Sequence, residues 1–219
     1  MDNLRLPERV TGVIFDLDGT LISSAHVWVD IDRRFLAKRG FEVPEDYCKR
    51  ISCLNFREGA DYTIERFGLK ERLEDIIEEW RSMAQWEYSH NLRLKPGAEE
   101  YLKALKARGL RLALATASSP SLYRPVLENN GVLPLFDTFC STEEVSRSKE
   151  HPDVYIYAAG KLGCEIRHCA VFEDLLEGVC SARRAGFFVA ACLEDNPKEA
   201  ADLQNAADIA FMSYEELMG

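Results

Sequence analysis

Long apolar runs are missing from this sequence. No stretch approaches the ~18 consecutive apolar residues that a spanning helix needs, which argues against a helical membrane protein. The opening residues, Met1 to Pro7, hold no apolar segment of the kind a secretory signal carries, so the chain is expected in the cytoplasm. Runs of lysine and arginine are missing too. There are 27 Lys and Arg against 37 Asp and Glu, a net charge of −10, so nucleic acid and anionic membranes are poor partners. An acidic surface does not draw anionic substrates from a distance, so a phosphate-bearing substrate would need a local cation to hold it. A disulfide framework is also not indicated. The seven cysteines (48, 53, 140, 164, 169, 180 and 192) are odd in number. Most stand in apolar runs such as Cys169-Ala170-Val171-Phe172, as small buried hydrophobes in a reducing compartment do. No repeat or low-complexity segment interrupts the 219 residues, and 47% of them are hydrophobic, enough to bury a sizeable core.

What is present is a recurring pattern of short apolar runs that end abruptly in polar residues. Val10 to Phe15 ends in Asp16, and Leu110 to Ala115 runs into Thr116. His168 to Phe172 runs into Glu173-Asp174, and Phe187 to Cys192 ends before Glu194-Asp195. Buried parallel strands have this look, with polar chemistry at their carboxyl ends. Helical patterns lie between them, near 97–108, 120–129, 152–163 and 175–185. The alternation predicts a doubly wound α/β sheet, Rossmann-like, with ligands beyond the strand ends. Residues 23–95 break the alternation and read as helices near 26–39, 57–67 and 70–89. Trp28, Ile31, Phe35 and Leu36 have helical spacing and Gly40 fits a stop. The expected organisation is therefore a core of residues 1–22 and 96–219 with an all-helical cap inserted at 23–95.

The sharpest motif is Asp16-Leu17-Asp18-Gly19-Thr20. A calcium loop would need more oxygen ligands at fixed offsets and a later Glu, and these are missing. A carboxylate nucleophile on a strand tip, with a second carboxylate two residues on, accounts for the pattern. Two carboxylates this close repel one another, which makes a divalent cation a natural third partner. Gly19 lets the chain leave the strand sharply.

The sequence here resembles the haloacid dehalogenase superfamily, in particular its helical-cap phosphoglycolate phosphatases, sugar-phosphate phosphatases and β-phosphoglucomutase. Phe15 to Thr20 is similar to the family's first motif and Leu114 to Ser119 to its second. Lys149 with Pro152-Asp153 resembles the third, and Val171 to Asp174 with Gly178-Val179 and Ala185-Gly186 the fourth. The resemblance implies that Asp16 attacks phosphorus and that Asp18 protonates the leaving oxygen, then deprotonates water. It implies that Thr116, with the backbone of Ala117 and Ser118 and the Gly19-Thr20 turn, holds phosphoryl oxygens. Lys149 would neutralise charge. Asp16, Asp18 through its carbonyl, Asp174 and nearby Glu173 would hold Mg²⁺, a cation suited to an all-oxygen site. Ser52 to Glu58 resembles the loop that sets specificity, where Arg57 could grip a second anionic group or simply pair with an acidic neighbour on the surface.

Two positions depart from the family pattern. Ser23-Ser24-Ala25 lacks the usual acidic hinge residues, and Leu175 replaces a hydroxyl after the acidic pair. The expected reaction is hydrolysis of small sugar or polyol phosphate monoesters by a monomer or weak homodimer. A β-phosphoglucomutase-like mutase is the alternative, disfavoured by Cys53 where that enzyme has a lysine and by Trp28 where it has a histidine. A dehalogenase lacks the second aspartate, and a non-catalytic phosphate-binding module would be expected to have lost one of the pair. Cys164, His168 and Cys169 lack a second ligand pair for zinc. Trp28, Trp80 and Trp86 read as cap core.

Overall fold

The computed structural model describes residues 4–51, 54–193 and 199–218; Ser52 and Cys53, two of the specificity-loop residues, lie outside the described residues. The chain opens on strand β1 (Gly12–Phe15), all four residues of which are buried. Helices α1 (Ala25–Ala37), α2 (Glu45–Ile51), α3 (Phe56–Phe67) and α4 (Leu73–His90) follow without an intervening strand. The chain then alternates through α5 (Ala98–Ala107), β2 (Arg111–Thr116), α6 (Pro120–Asn129), β3 (Thr138–Ser141), α7 (Thr142–Val145), α8 (Asp153–Leu162) and β4 (Cys169–Glu173). It closes with α9 (Leu176–Ala185), β5 (Phe188–Cys192), α10 (Ala200–Ala206) and β6 (Ile209–Phe211).

The six strands form one parallel sheet in the order β3-β2-β1-β4-β5-β6. The chain builds outward from β1 on one side and then returns to build outward on the other, so the crevice beside β1 is a topological switch point. Both faces are covered. Phe15, Phe172 and Tyr214 stack on one side, and Ile14, Val171 and Tyr155 belong to the cluster on the other. In-register pairing of Phe15 with both Leu114 and Phe172 sets the tips of β1, β2 and β4 side by side. This register is what collects residues far apart in sequence.

The helical insert is locally well specified. Asn55 and Glu58 form a reciprocal capping box at the start of α3, with bonds of 2.9 and 3.1 Å, and left-handed Gly68 ends the helix. Its apolar face is aromatic, with Phe35, Trp80 and Phe56 in contact. Polar pairs join the insert to the α/β body: Lys49 with Glu199, Arg50 with Glu150, and Arg81 with Glu143. Trp80 is buried as expected of a core residue, but Trp86 is 58% exposed and stacks on His90, while Trp28 is half-buried. Among the described residues no helix is long and apolar enough to cross a membrane.

Candidate active site

Asp16 follows the last residue of β1, and its backbone N–H donates to the Phe172 carbonyl, locking it against β4. Two residues on, Gly19 turns the chain at φ 84°. A Cβ there would lie 2.2 Å from Asp174 Oδ2, so only glycine lets this turn and Asp174 approach one another. Thr20 Oγ1 donates to Asp174 Oδ1 at 3.0 Å. Thr20 is fully buried, so its side chain orients Asp174 from behind.

The first, third and fourth sequence motifs meet at one ammonium. Lys149, 4% exposed, bonds both Asp16 Oδ1 and Glu173 Oε1. Ser181 Oγ donates to the Lys149 carbonyl at 2.6 Å and fixes its backbone. Oxygens of Asp16, Glu173 and Asp174 come within 4.8 Å of one another, the one such grouping of possible metal ligands among the described residues.

Burial pushes Asp16 well above the ordinary carboxylate range. Lys149 opposes that push, and Glu173, Asp174 and Asp18 add to it. Burial likewise raises Asp174 to about 7, helped by Glu173 and opposed by Lys149, the Thr20 hydroxyl and Lys95. Burial works against the charge of Lys149, but the Asp16 and Glu173 carboxylates more than offset it and raise its pKa. For Asp16 and Asp174, burial together with the neighbouring carboxylates outweighs the opposing cations. An all-oxygen, carboxylate-rich donor set of this kind fits a hard divalent cation.

Glu173 differs from its neighbours in one respect. Its Oε1 accepts from Lys149 and from the Tyr155 hydroxyl, and its Oε2 accepts from the backbone N–H groups of Asp174 and Leu175. Four donors fill the roughly four lone-pair sites of a carboxylate. The expectation that Glu173 ligates the metal therefore meets a side chain already saturated. Gly178 makes room for this arrangement, since a Cβ there would lie 2.8 Å from the Glu173 carboxyl carbon.

Asp18 is held by hydroxyls. Ser24 Oγ donates at 2.6 Å, Ser118 Oγ at 2.8 Å, and the Tyr88 hydroxyl of α4 donates as well. Trp28 Nε1 in turn donates to Tyr88 Oη at 2.8 Å. The insert thus reaches the second aspartate directly from α4 through Tyr88, and α1 braces that contact through Trp28. Thr116 Oγ1 accepts from the Ser118 N–H at 3.0 Å and shapes the loop after β2. A cavity of about 550 Å³ opens over these groups, between the strand tips and the insert, with Asp16, Gly19, Ala117, Ser118 and Lys149 in its wall.

Arg57 lies in the first turn of α3. Its side chain is 69% exposed, stands 3.9 Å from Glu74, and is not part of the cavity wall. Of the two roles the sequence left open for it, this exposed position beside Glu74 matches the surface pairing. Sequence reasoning also passed over Tyr88, Tyr155 and buried Lys95, none of which sits in a recognisable motif.

The fold and the site together define a class, and the chain belongs to the haloacid dehalogenase-like hydrolase family, whose model matches residues 13–192. That family generally uses a divalent metal, which the acidic cluster described above suits. The chain is similar to a phosphorylated carbohydrates phosphatase of Thermotoga maritima, 29% identical over 209 residues, which are 94% of this chain and 95% of that protein. It is also similar to hexitol phosphatase B of Escherichia coli K12, 29% identical over 185 residues and 82% of each chain. In fold it resembles the crystal structure of β-phosphoglucomutase from Clostridium difficile, with a TM-score of 0.80, 21% identity, and coverage of 95% and 93%.

Proposed function

We propose that the protein is a Mg²⁺-dependent phosphatase that hydrolyses small sugar or polyol phosphate monoesters through an aspartyl-phosphate on Asp16. The observation that carries this reading is the meeting of Asp16, Lys149 and Asp174 at the tip of β1. Phosphoryl transfer needs an in-line nucleophile and neutralised charge more than covalent invention, and this geometry supports both. Asp16, Asp174 and the Asp18 carbonyl would hold Mg²⁺, which when bound supplies the positive charge that the substrate phosphate and the carboxylates require.

Asp16 attacks phosphorus as the P–O bond to the leaving group breaks, and Asp18 gives its proton to the departing oxygen. Asp18, now a carboxylate, then takes a proton from water as that water attacks phosphorus, releasing phosphate and restoring Asp16. Ser24, Ser118 and Tyr88 all aim hydroxyls at Asp18 and fix its position through both halves. Lys149 balances the charge of Asp16, and Glu173, saturated by four donors, positions that lysine. The Ala117-Ser118 backbone and Thr116 would carry phosphoryl oxygens. Residues 23–95 act as a cap over the strand ends and exclude water during transfer.

The test is hydrolysis of an aryl phosphate with Mg²⁺ by wild-type protein and by Asp16→Asn. Loss of at least roughly a thousandfold in kcat/KM is expected. Near-wild-type turnover in Asp16→Asn would sink the nucleophile assignment.

A further inference from the structure

The insert carries one carboxylate that the phosphate chemistry does not use. Asp32 lies on α1, 6% exposed, in the wall of the cavity that holds Asp16 and Asp18. Its hydrogen-bond partner among the described residues is the Cys48 thiol of α2, 4.0 Å from Oδ2, and a thiol is a weak donor. Buried Glu173, by contrast, meets four donors. A buried carboxylate is ordinarily paired or hydrogen-bonded, so the unanswered oxygens of Asp32 need an explanation. Burial raises Asp32 to about 7.

Ser24, Trp28 and Asp32 follow one another at four-residue intervals and so share a face of α1. Ser24 touches Asp18. At the helical rise of about 1.5 Å per residue, Asp32 is roughly 12 Å further along the same helix, away from the reacting phosphorus. The cavity wall also holds Glu45, Glu177 and Glu199 and, among the described residues, the ammonium of Lys49, which pairs with Glu199. Lys149 serves the phosphate end, and Asp32 adds a buried carboxylate to the wall farther along α1.

We infer that Asp32 reads the leaving group, accepting hydrogen bonds from its hydroxyls or ammonium, and that this end of the cavity turns away leaving groups carrying a second phosphate or a carboxylate. The inference rests on the phosphatase reading and gives it a substrate class: uncharged polyol or amine-bearing phosphate monoesters. It also separates this chain from a phosphomutase, whose bisphosphate intermediate would have to set its second phosphate against Asp32.

The experiment compares kcat/KM of the wild type, Asp32→Asn and Asp32→Leu on a hexitol phosphate, an aminohexose phosphate, a phosphorylated aldonate, a hexose bisphosphate and an aryl phosphate. The wild type is expected to favour the first two. In Asp32→Leu both should fall about tenfold or more relative to the aryl ester, chiefly through KM, while the anionic pair gains. In Asp32→Asn, a fall confined to the aminohexose assigns an ammonium, and a fall in both assigns hydroxyls. Selectivity ratios that stay within about twofold in both variants, or a wild type that prefers the bisphosphate or aldonate, would overturn the inference. If no ester is turned over, the aryl phosphate included, the phosphatase reading itself fails and the inference goes with it.

Discussion

Asp32 offers a stability measurement that does not depend on any substrate. In an unfolded chain an aspartate titrates near 3.9, whereas buried on α1 it titrates at about 7. The folded protein therefore holds the Asp32 proton more tightly than the unfolded chain does. Below the unfolded value both states are protonated and Asp32 costs nothing. As pH rises toward the folded value, folding must either retain the proton or bury a charge, and stability is lost. The loss is complete above about pH 7, where the gap between the unfolded and folded values corresponds to about 4 kcal/mol. Between pH 5 and pH 8 about 2–3 kcal/mol of it should appear. Asp32→Asn removes the titration while nearly keeping the shape. Urea denaturation of both proteins at the two pH values isolates the effect, because every other titrating group cancels in the comparison. The variant should gain about 2–3 kcal/mol on the wild type between pH 5 and pH 8. A difference that stays constant within about 0.5 kcal/mol would refute the claim that Asp32 is buried with no more than a weak thiol donor among the described residues. A variant that is more stable and less selective is the usual signature of a residue kept for function.

Three further outcomes follow from the site. Lys149→Met should leave Asp16 and Glu173 facing one another without a cation and cost about 3–5 kcal/mol, read by denaturation at neutral pH; a melt unchanged from wild type would contradict the buried pairing. Gly19→Ala places a methyl group against Asp174 and should weaken Mg²⁺ activation by roughly tenfold to a hundredfold, seen as a rise in the Mg²⁺ concentration needed for half-maximal activity. Tyr88→Phe removes the hydroxyl between Trp28 and Asp18 and should lower kcat about tenfold with little change in KM, measured by steady-state kinetics.

The legible parts of this fold were those buried on both sides. β1, β2, β4 and β5 are continuous apolar runs because helices cover both faces of the sheet, and each announces itself in the sequence. β3 and β6 went unread because they are the partly exposed outer strands: β3 mixes polar with apolar residues, and β6, of three residues, is too short to show a pattern. Short α2, α7 and α10 offered no periodicity for the same reason. Asp16, Lys149, Glu173 and Asp174 could be named because they stand in motifs that resemble the family's, and the register of β1 against β4 sets two of those motifs side by side. Tyr88 and Tyr155 could not, since each reaches the site from a helix face that looks ordinary in sequence. Asp32 did leave a signal. It falls inside the apolar stripe of Trp28, Ile31, Phe35 and Leu36, where an acidic residue is out of place. The even choice over Arg57 could not be decided from sequence, because a guanidinium at a helix start serves a ligand or a neighbour equally well.

The hydroxyl that Tyr88 places on Asp18 bears on how such enzymes diverge. An insert that merely roofed the strand ends could be exchanged between relatives like a lid. Here the roof is wired to Asp18 through Tyr88, which Trp28 braces from a second helix. A chimaera that grafts a foreign insert onto this sheet would inherit a new pocket and lose part of the grip on Asp18 together, so altered preference and slower turnover should arrive as a single inheritance.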